Sequence, residues 1–232
     1  MRIEEALAAY SRIGFKKIEA YTCLLRSAVD FGRDPAEYVQ LAGQYGMRFS
    51  SLHLPAVDNS YGAIEGAIDA ARFAQGLGSG VVVFRASSRP RYVEAARELL
   101  NGIEGMALVP AIQNQAGSPI SGLDDMRVVL EAMADPRFKV VLDVGHFHSV
   151  GVHWQEACNA FAGQIALVRI RDQVGLQPVP FGTGEIDLPR LFAHLRRTDY
   201  TGDIVVEMEV EDMENTLQYL AAAAGYLRAY CL

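Results

Sequence analysis

The regular alternation of strand-like and helix-like segments predicts an α/β fold, a (β/α)8 barrel of the TIM type. Seven short segments rich in valine and isoleucine recur along the chain with amphipathic segments between them. Such alternation is typical of a parallel sheet with right-handed crossovers. The 232 residues approach the ~250 that are usual for such barrels, so we expect one domain over residues 1–232. A doubly wound open sheet is the alternative, although no GxGxxG motif follows a first strand.

The predicted strands account for seven of the eight that a complete barrel needs. In chain order they span residues 16–22, 48–55, 79–86, 106–114, 138–146, 165–172 and 202–210. The chain begins with a helix-like segment, residues 2–14, where a barrel normally begins with a strand. We therefore predict that the first barrel strand is missing; the alternatives are a misplaced start codon or an eighth strand that the pattern does not reveal. An absent first strand would leave two unpaired sheet edges, which we expect a neighbouring chain or a loop to cover.

Helix signals occupy the intervals between the predicted strands. The clearest run through residues 34–46, 62–78, 92–105 and 187–202. In the last of these, Asp187 is a predicted cap, Pro189 lies in the first turn and basic residues lie in the last turn. Two loop-like segments, residues 87–92 and 173–184, follow strand ends, which is the active-site face of a barrel.

Net charge, apolar runs and cysteine content indicate which kinds of partner and which cellular compartment to expect. The net charge of −7 and the pI of about 5.3 argue against a nucleic-acid partner. No apolar run approaches the ~20 residues of a membrane span, and the N-terminus lacks the apolar core of a signal peptide. The three cysteines, Cys23, Cys158 and Cys231, are far apart and indicate a reducing compartment. We expect a cytoplasmic protein without a membrane partner.

Polar residues end the predicted strands in phase with apolar ones. Because side chains alternate across a strand, these residues would converge on the axis of a barrel; they are His53, Arg85, Gln113, Asp143, His146, Arg169, Asp172 and Glu207. Each alone has a structural alternative. His53 could be a core histidine and Gln113 a capping amide. Arg171 and Asp172 could form an exposed ion pair, and Glu209 could be solvated.

Six segments together resemble one known superfamily. In order along the chain they read GFKKIEAY, SSLHLP, AIQNQAGSP, VVLDVGHFHSVG, LVRIRD and FGTGEIDLPRLFAHLRRTDYTGDIVVEME. Their order and spacing resemble the xylose isomerase-like TIM-barrel superfamily, which includes sugar phosphate isomerases and epimerases and AP endonuclease family 2. An endonuclease IV-like activity would need three zinc ions and many more histidine ligands than the five histidines present.

The resemblance implies a metal site that this sequence has partly lost. In the superfamily, Glu, Asp, His and Glu from four strands usually hold one divalent metal, and the two glutamates often move a proton next to a carbonyl. By motif, the metal Asp is Asp143, the last metal Glu is Glu207 and a substrate-contacting His is His146. Gln113 stands where the first Glu is expected, and Arg169 stands where the metal His is expected.

Arg169 raises the question of what its charge pairs with in a strand of apolar residues. A guanidinium has no lone pair for a metal, and a buried charge needs a partner. We expect Arg169 to stand in for the metal by pairing with Asp143 or Glu207. No cofactor is therefore expected. The alternative is a divalent metal (Mn, Mg or Zn) bound by Asp143 and Glu207.

Two functions remain open at this point. The favoured one is a sugar isomerase or epimerase, or a lyase, that removes a proton next to a carbonyl of a small carbohydrate. Its expected catalytic residues are Glu207, His146 and Arg169, and its expected substrate-binding residues are His53, Arg85, Gln113, Asp143 and Asp172. The alternative is a non-catalytic ligand-binding or assembly barrel. In either case we expect a homodimer or homotetramer and a small polar carbohydrate-like ligand.

Overall fold

The computed structural model describes residues 1–210 and 212–230, and its contacts divide the chain into two compact units. The first unit contains Met1–Gln113 and Asp124–Val140. The second contains Asn114–Leu123 and the chain from Val141 onward. The predicted free cysteine Cys231 lies outside the described residues.

The first unit is built on four parallel strands that neighbour one another in chain order. These are β1 (Lys17–Tyr21), β2 (Arg48–His53), β3 (Val81–Phe84) and β4 (Val109–Gln113). The helices that belong to this part of the chain are α1 (Ile3–Ile13), α2 (Pro35–Gln44), α3 (Ala63–Gly76), α4 (Arg89–Gly102) and α5 (Leu123–Met133). Strand interiors such as Leu52, Val82 and Ala111 are fully buried, so the sheet forms the core of this unit.

The second unit carries the C-terminal end of β5 (Lys139–Asp143), followed directly by α6 (Val144–Ser149). The remaining elements are α7 (Trp154–Ala160), β6 (Ile165–Ile170), β7 (Asp172–Val174), β8 (Gln177–Val179), α8 (Leu188–Arg197), β9 (Asp203–Val206), a 3-10 turn (Met213–Asn215) and α9 (Thr216–Tyr230). Strands β6 and β9 pair in parallel, whereas β7 and β8 form a short antiparallel hairpin.

Local sequence explains where these helices begin. Asp187 caps α8 by accepting a hydrogen bond from the backbone N–H of Arg190 at 3.1 Å, with Pro189 in the first turn. Asp34 caps α2 in the same way, accepting from Ala36 N at 2.9 Å. Both caps satisfy N–H groups that a helix start leaves without partners.

Each of the seven predicted strands is present, and seven strands form the main sheet. Within the described part of the chain, the first element is α1 and no strand precedes it. Two details differ from expectation: the loop 173–184 contains the β7–β8 hairpin, and α4 begins within the predicted loop 87–92. Among the described residues, no helix has the length and apolar character needed to cross a membrane.

Candidate active site

Asp143 links the end of β5 to the start of α6. Its side chain is fully buried, and its Oδ1 accepts a hydrogen bond from the backbone N–H of His146 at 2.9 Å. The amide of Asn114 holds the Asp143 backbone by two hydrogen bonds of 3.0 Å, one to its carbonyl and one from its N–H. Asp143 is therefore fixed in position, with Oδ2 directed away from the helix cap.

Arg169 lies within β6 and is only 3% exposed. Its Nη1 atom is 3.6 Å from Asp143 Oδ2 and 3.7 Å from Glu207 Oε1. These distances are in the ion-pair range, and the guanidinium contacts both carboxylates where the sequence predicted one or the other. A buried charge that cannot be shed is thereby compensated on two sides.

Glu207 follows β9 immediately, and its backbone N–H continues the ladder by donating to Ile170 O at 2.9 Å. Burial and, after it, the negative charge of Asp143 raise the pKa of Glu207 to about 8, against the opposing effect of Arg169 and Arg171. A carboxyl group with such a pKa holds its proton near neutral pH and can exchange it, which suits general acid–base chemistry.

Arg171 is a member of the site that the sequence did not single out. It is buried, 5% exposed, so the exposed ion pair considered for Arg171 and Asp172 is wrong. Its Nη1 donates to Glu209 Oε2 at 2.6 Å and lies 3.3 Å from Glu207 Oε2. The available signal was its spacing, because residues two apart on a strand share a face and Arg171 follows Arg169 by two.

His146 lies in the first turn of α6 rather than at a strand end. Burial lowers the pKa of His146, and the positive charges of Arg171 and Arg169 act in the same direction against Asp143. Its Nδ1 atom is 2.7 Å from Arg171 Nη2, and its Nε2 atom is 3.9 Å from Asp143 Oδ2. The structure thus gathers Asp143, His146, Arg169 and Glu207, all expected from the sequence, into one cluster that also contains Arg171.

Asp172 faces the loop that follows β6 instead of this cluster. Its carboxylate accepts hydrogen bonds from the backbone N–H groups of Gln173, Gly182, Gly184 and Ile186. Gly184 is required there, because a Cβ atom would lie 2.0 Å from Asp172 Oδ1. This geometry supports a loop-anchoring role for Asp172 more strongly than the predicted contact with a substrate.

The first unit contains a buried cluster around His53, at the end of β2. His53 Nε2 is 3.1 Å from Glu19 Oε1, and Ser51 Oγ donates to the same oxygen at 2.9 Å. The ring of Tyr21 stacks on His53 with the ring centroids 4.1 Å apart. Glu19 was not among the predicted residues. Its position two residues before Tyr21 on β1 places both side chains on one face of the strand.

The remaining candidates lie elsewhere in the chain. Arg85 follows β3 and is half-buried, and Gln113 ends β4 and is buried, both in the first unit. His148 Nε2 lies 3.2 Å from the exposed carboxylate of Glu185. His153 caps α7 through its ring, accepting a hydrogen bond from Gln155 N at 3.3 Å.

The donors present do not fit a resident divalent metal. Ligand atoms of Asp143, His146 and Glu207 lie within 4.8 Å of one another, close enough to surround an ion. However, Arg169 Nη1 already contacts both carboxylates. Two unit charges ~4 Å apart repel by ~4 kcal/mol in a typical protein environment, and a dication doubles that cost. A divalent metal would have to displace Arg169 from both carboxylates before it could bind there.

Comparison with known proteins gives partial matches in sequence. The chain is 31% identical to L-ribulose-5-phosphate 3-epimerase UlaE of Salmonella paratyphi A over 97 residues, which is 41% of this chain and 34% of the relative. The chain thus spans about a third of the length of the curated relatives it matches.

Solved structures show the same fold over nearly the whole chain. An AP endonuclease of family 2 from Brucella melitensis superposes with a TM-score of 0.78 at 16% identity, covering 96% of this chain and 93% of that one. A D-allulose 3-epimerase from Methylomonas sp. gives a TM-score of 0.75 at 17% identity, covering 98% and 91%. The predicted TIM-barrel fold is confirmed, and since the family model matches residues 7–230, the chain belongs to the xylose isomerase-like TIM barrel family.

Proposed function

We propose that this protein is a sugar isomerase or epimerase-like enzyme that removes a proton next to a carbonyl of a small carbohydrate without a resident metal. The observation that carries the proposal is the Glu207 carboxyl group, which has a raised pKa and is flanked by two buried guanidinium groups. Family membership and the similarity to a ribulose-5-phosphate epimerase support the substrate class.

Each residue of the cluster has a distinct task in this proposal. The ionised fraction of Glu207, which grows as pH rises toward its pKa of about 8, accepts the proton from the carbon next to the carbonyl and returns it. Arg169 supplies the fixed positive charge that stabilises the negative oxygen formed in the transition state. Asp143 holds Arg169 in place, and His146 donates a hydrogen bond to a substrate oxygen. His53, Arg85, Gln113 and Asp172 stay predicted substrate contacts, although the loop bonds of Asp172 weaken its case.

The test follows exchange of the substrate proton rather than any one product. The protein is incubated in D2O with a panel of ketoses, aldoses and their phosphates, and loss of the C–H signal next to the carbonyl is measured by NMR. Glu207→Gln should lower that rate at least ~100-fold with little change in KM. Glu185→Gln, which alters an exposed acid of the same unit, is the matched control. Equal rates for Glu207→Gln and the unchanged chain would refute the role of Glu207.

A non-catalytic ligand-binding barrel is the second candidate, and one observation favours it. Arg169 lies within ion-pair distance of both Asp143 and Glu207, so the charges of the cluster largely satisfy one another. This candidate predicts that sugars from the same panel raise the melting temperature while no substrate proton exchanges with D2O.

A further inference from the structure

The chemistry of Arg171 decides which group donates in its hydrogen bond with His146. Its Nη2 atom lies 2.7 Å from Nδ1 of His146, which is hydrogen-bond distance, and its side chain is 6% exposed. A guanidinium carries only donors and stays protonated at accessible pH. The N–H must therefore belong to Arg171, and Nδ1 of His146 must accept.

We propose that Arg171 is a positioning residue that holds His146 as a neutral imidazole with its proton on Nε2. A proton on Nδ1 would point at an N–H group 2.7 Å away, so that tautomer and the imidazolium are both disfavoured. The hydrogen bond made by one ring nitrogen of a histidine sets which nitrogen carries the proton, and here that bond is the one from Arg171 to Nδ1.

Three neighbours fix Arg171 itself. Its Nη1 donates to Glu209 at 2.6 Å and lies 3.3 Å from Glu207 Oε2, and its Nη2 lies 4.0 Å from Asp143 Oδ1, so carboxylates face both ends of the guanidinium. Gly145 provides the space for its stem, because a Cβ atom there would lie 2.2 Å from Nε and 2.4 Å from Cγ of Arg171. The absence of a side chain immediately before His146 is thus a condition for the contact.

This arrangement turns His146 into a hydrogen-bond donor. Its Nε2 lies 3.9 Å from Asp143 Oδ2, beyond hydrogen-bond distance, so that contact does not consume the N–H. Because the lone pair on Nδ1 is occupied by Arg171, His146 cannot take up a proton without losing this bond. Proton transfer then falls to Glu207. The use of the Nε2 donor by a sugar oxygen rests on the proposed function, whereas the tautomer does not.

The tautomer is read directly by NMR on the full-length, 15N-labelled chain without substrate. Long-range 1H–15N correlation spectra near neutral pH distinguish the two ring nitrogens of His146, and the other four of the five histidines serve as internal references. We expect a protonated Nε2 and an accepting Nδ1. In Arg171→Met this pattern should give way to shifts averaged between the two tautomers, and Arg171→Lys, which keeps a donor, should restore it.

A second variant covers the case in which Arg171→Met does not fold. Gly145→Ala leaves the guanidinium in the chain but displaces its stem, and it should give the same averaged shifts. A proton on Nδ1 in the unchanged protein, or an unaltered His146 pattern in both variants, would overturn the proposal. Neither outcome depends on turnover, so loss of the tautomer and loss of the proposed sugar chemistry are separately visible.

Discussion

At the scale of single residues, Arg169 decides which ion the cluster can hold. It places a permanent positive charge against Asp143 and Glu207, whose oxygens would otherwise attract a cation. Arg169→His removes that charge and supplies a ring nitrogen with a lone pair. We expect this variant to retain Zn²⁺ or Mn²⁺ after desalting, near one ion per chain by elemental analysis.

Two controls make the metal experiment decisive. The unchanged protein should retain substoichiometric metal under the same treatment. Arg190→His, which adds a histidine at an exposed position of α8, should behave like the unchanged protein. Stoichiometric metal in the unchanged protein would show that Arg169 moves aside for an ion, and the metal-free part of the proposed function would fail.

The raised pKa of Glu207 makes the free energy of unfolding depend on pH. Its folded pKa of about 8 lies above the ordinary 4.5, so the folded state holds a proton that the unfolded chain has already released. Its contribution is complete below pH ~4.5 and is lost as pH rises toward ~8. Glu207→Gln mimics the protonated form at every pH. The free energy of unfolding of the variant should exceed that of the unchanged protein by on the order of 5 kcal/mol above pH ~9.

Urea unfolding at several pH values measures this difference. The gap between variant and unchanged protein should be smallest below pH ~4 and should widen with rising pH. Glu185→Gln is the control with the opposite sign, because a backbone N–H of Gly175, followed by His148, lowers the pKa of Glu185. A gap for Glu207→Gln that does not change with pH would mean that the pKa of Glu207 is not raised.

At the scale of elements, patterning predicted strands such as Val81–Phe84 of β3, which is a short run of mostly buried and mostly β-branched residues. It also predicted α8, whose cap and first-turn proline are local signals. The pattern did not reveal the β7–β8 hairpin. That hairpin depends on Asp172, whose partners lie up to 14 residues away in sequence and carry no periodic signal.

The candidate site shows the same division between local and long-range information. Asp143, His146 and Glu207 were identifiable because they follow apolar strands in recognisable motifs. Arg171 was not, because its burial depends on Glu209, 38 residues further along the chain. The local sequence around a charged residue at a strand end does not show whether its side chain will be buried among several partners or solvated. Only the three-dimensional arrangement reveals the difference.

At the scale of the whole molecule, fold and activity rest on different numbers of residues. The fold is shared with the Brucella protein over 96% of the chain at 16% identity, so most side chains can change while the barrel persists. The proposed chemistry depends on a cluster of a few charged side chains. A family defined by its fold therefore leaves the activity to be tested at those side chains.

Exposed apolar residues of the first unit favour assembly of more than one chain. Strand β1 pairs with β2, and a loop follows it. The loop after β1 exposes two apolar side chains, Leu24 at 75% and Leu25 at 50%. We expect light scattering to give a mass of two or four times the 25.4 kDa of one chain.

The variants that test assembly alter the exposed loop after β1 and, as a control, an exposed residue of α5. Leu24 has a positive φ of 73°, which aspartate tolerates better than leucine, so Leu24→Asp should keep the fold while weakening the assembly. Val128→Asp changes a residue of α5 that is 53% exposed and should leave the mass unchanged. If the unchanged protein is monomeric at tens of micromolar, the exposed leucines after β1 do not form an interface between copies. If both variants stay assembled, the contact lies away from the loop after β1.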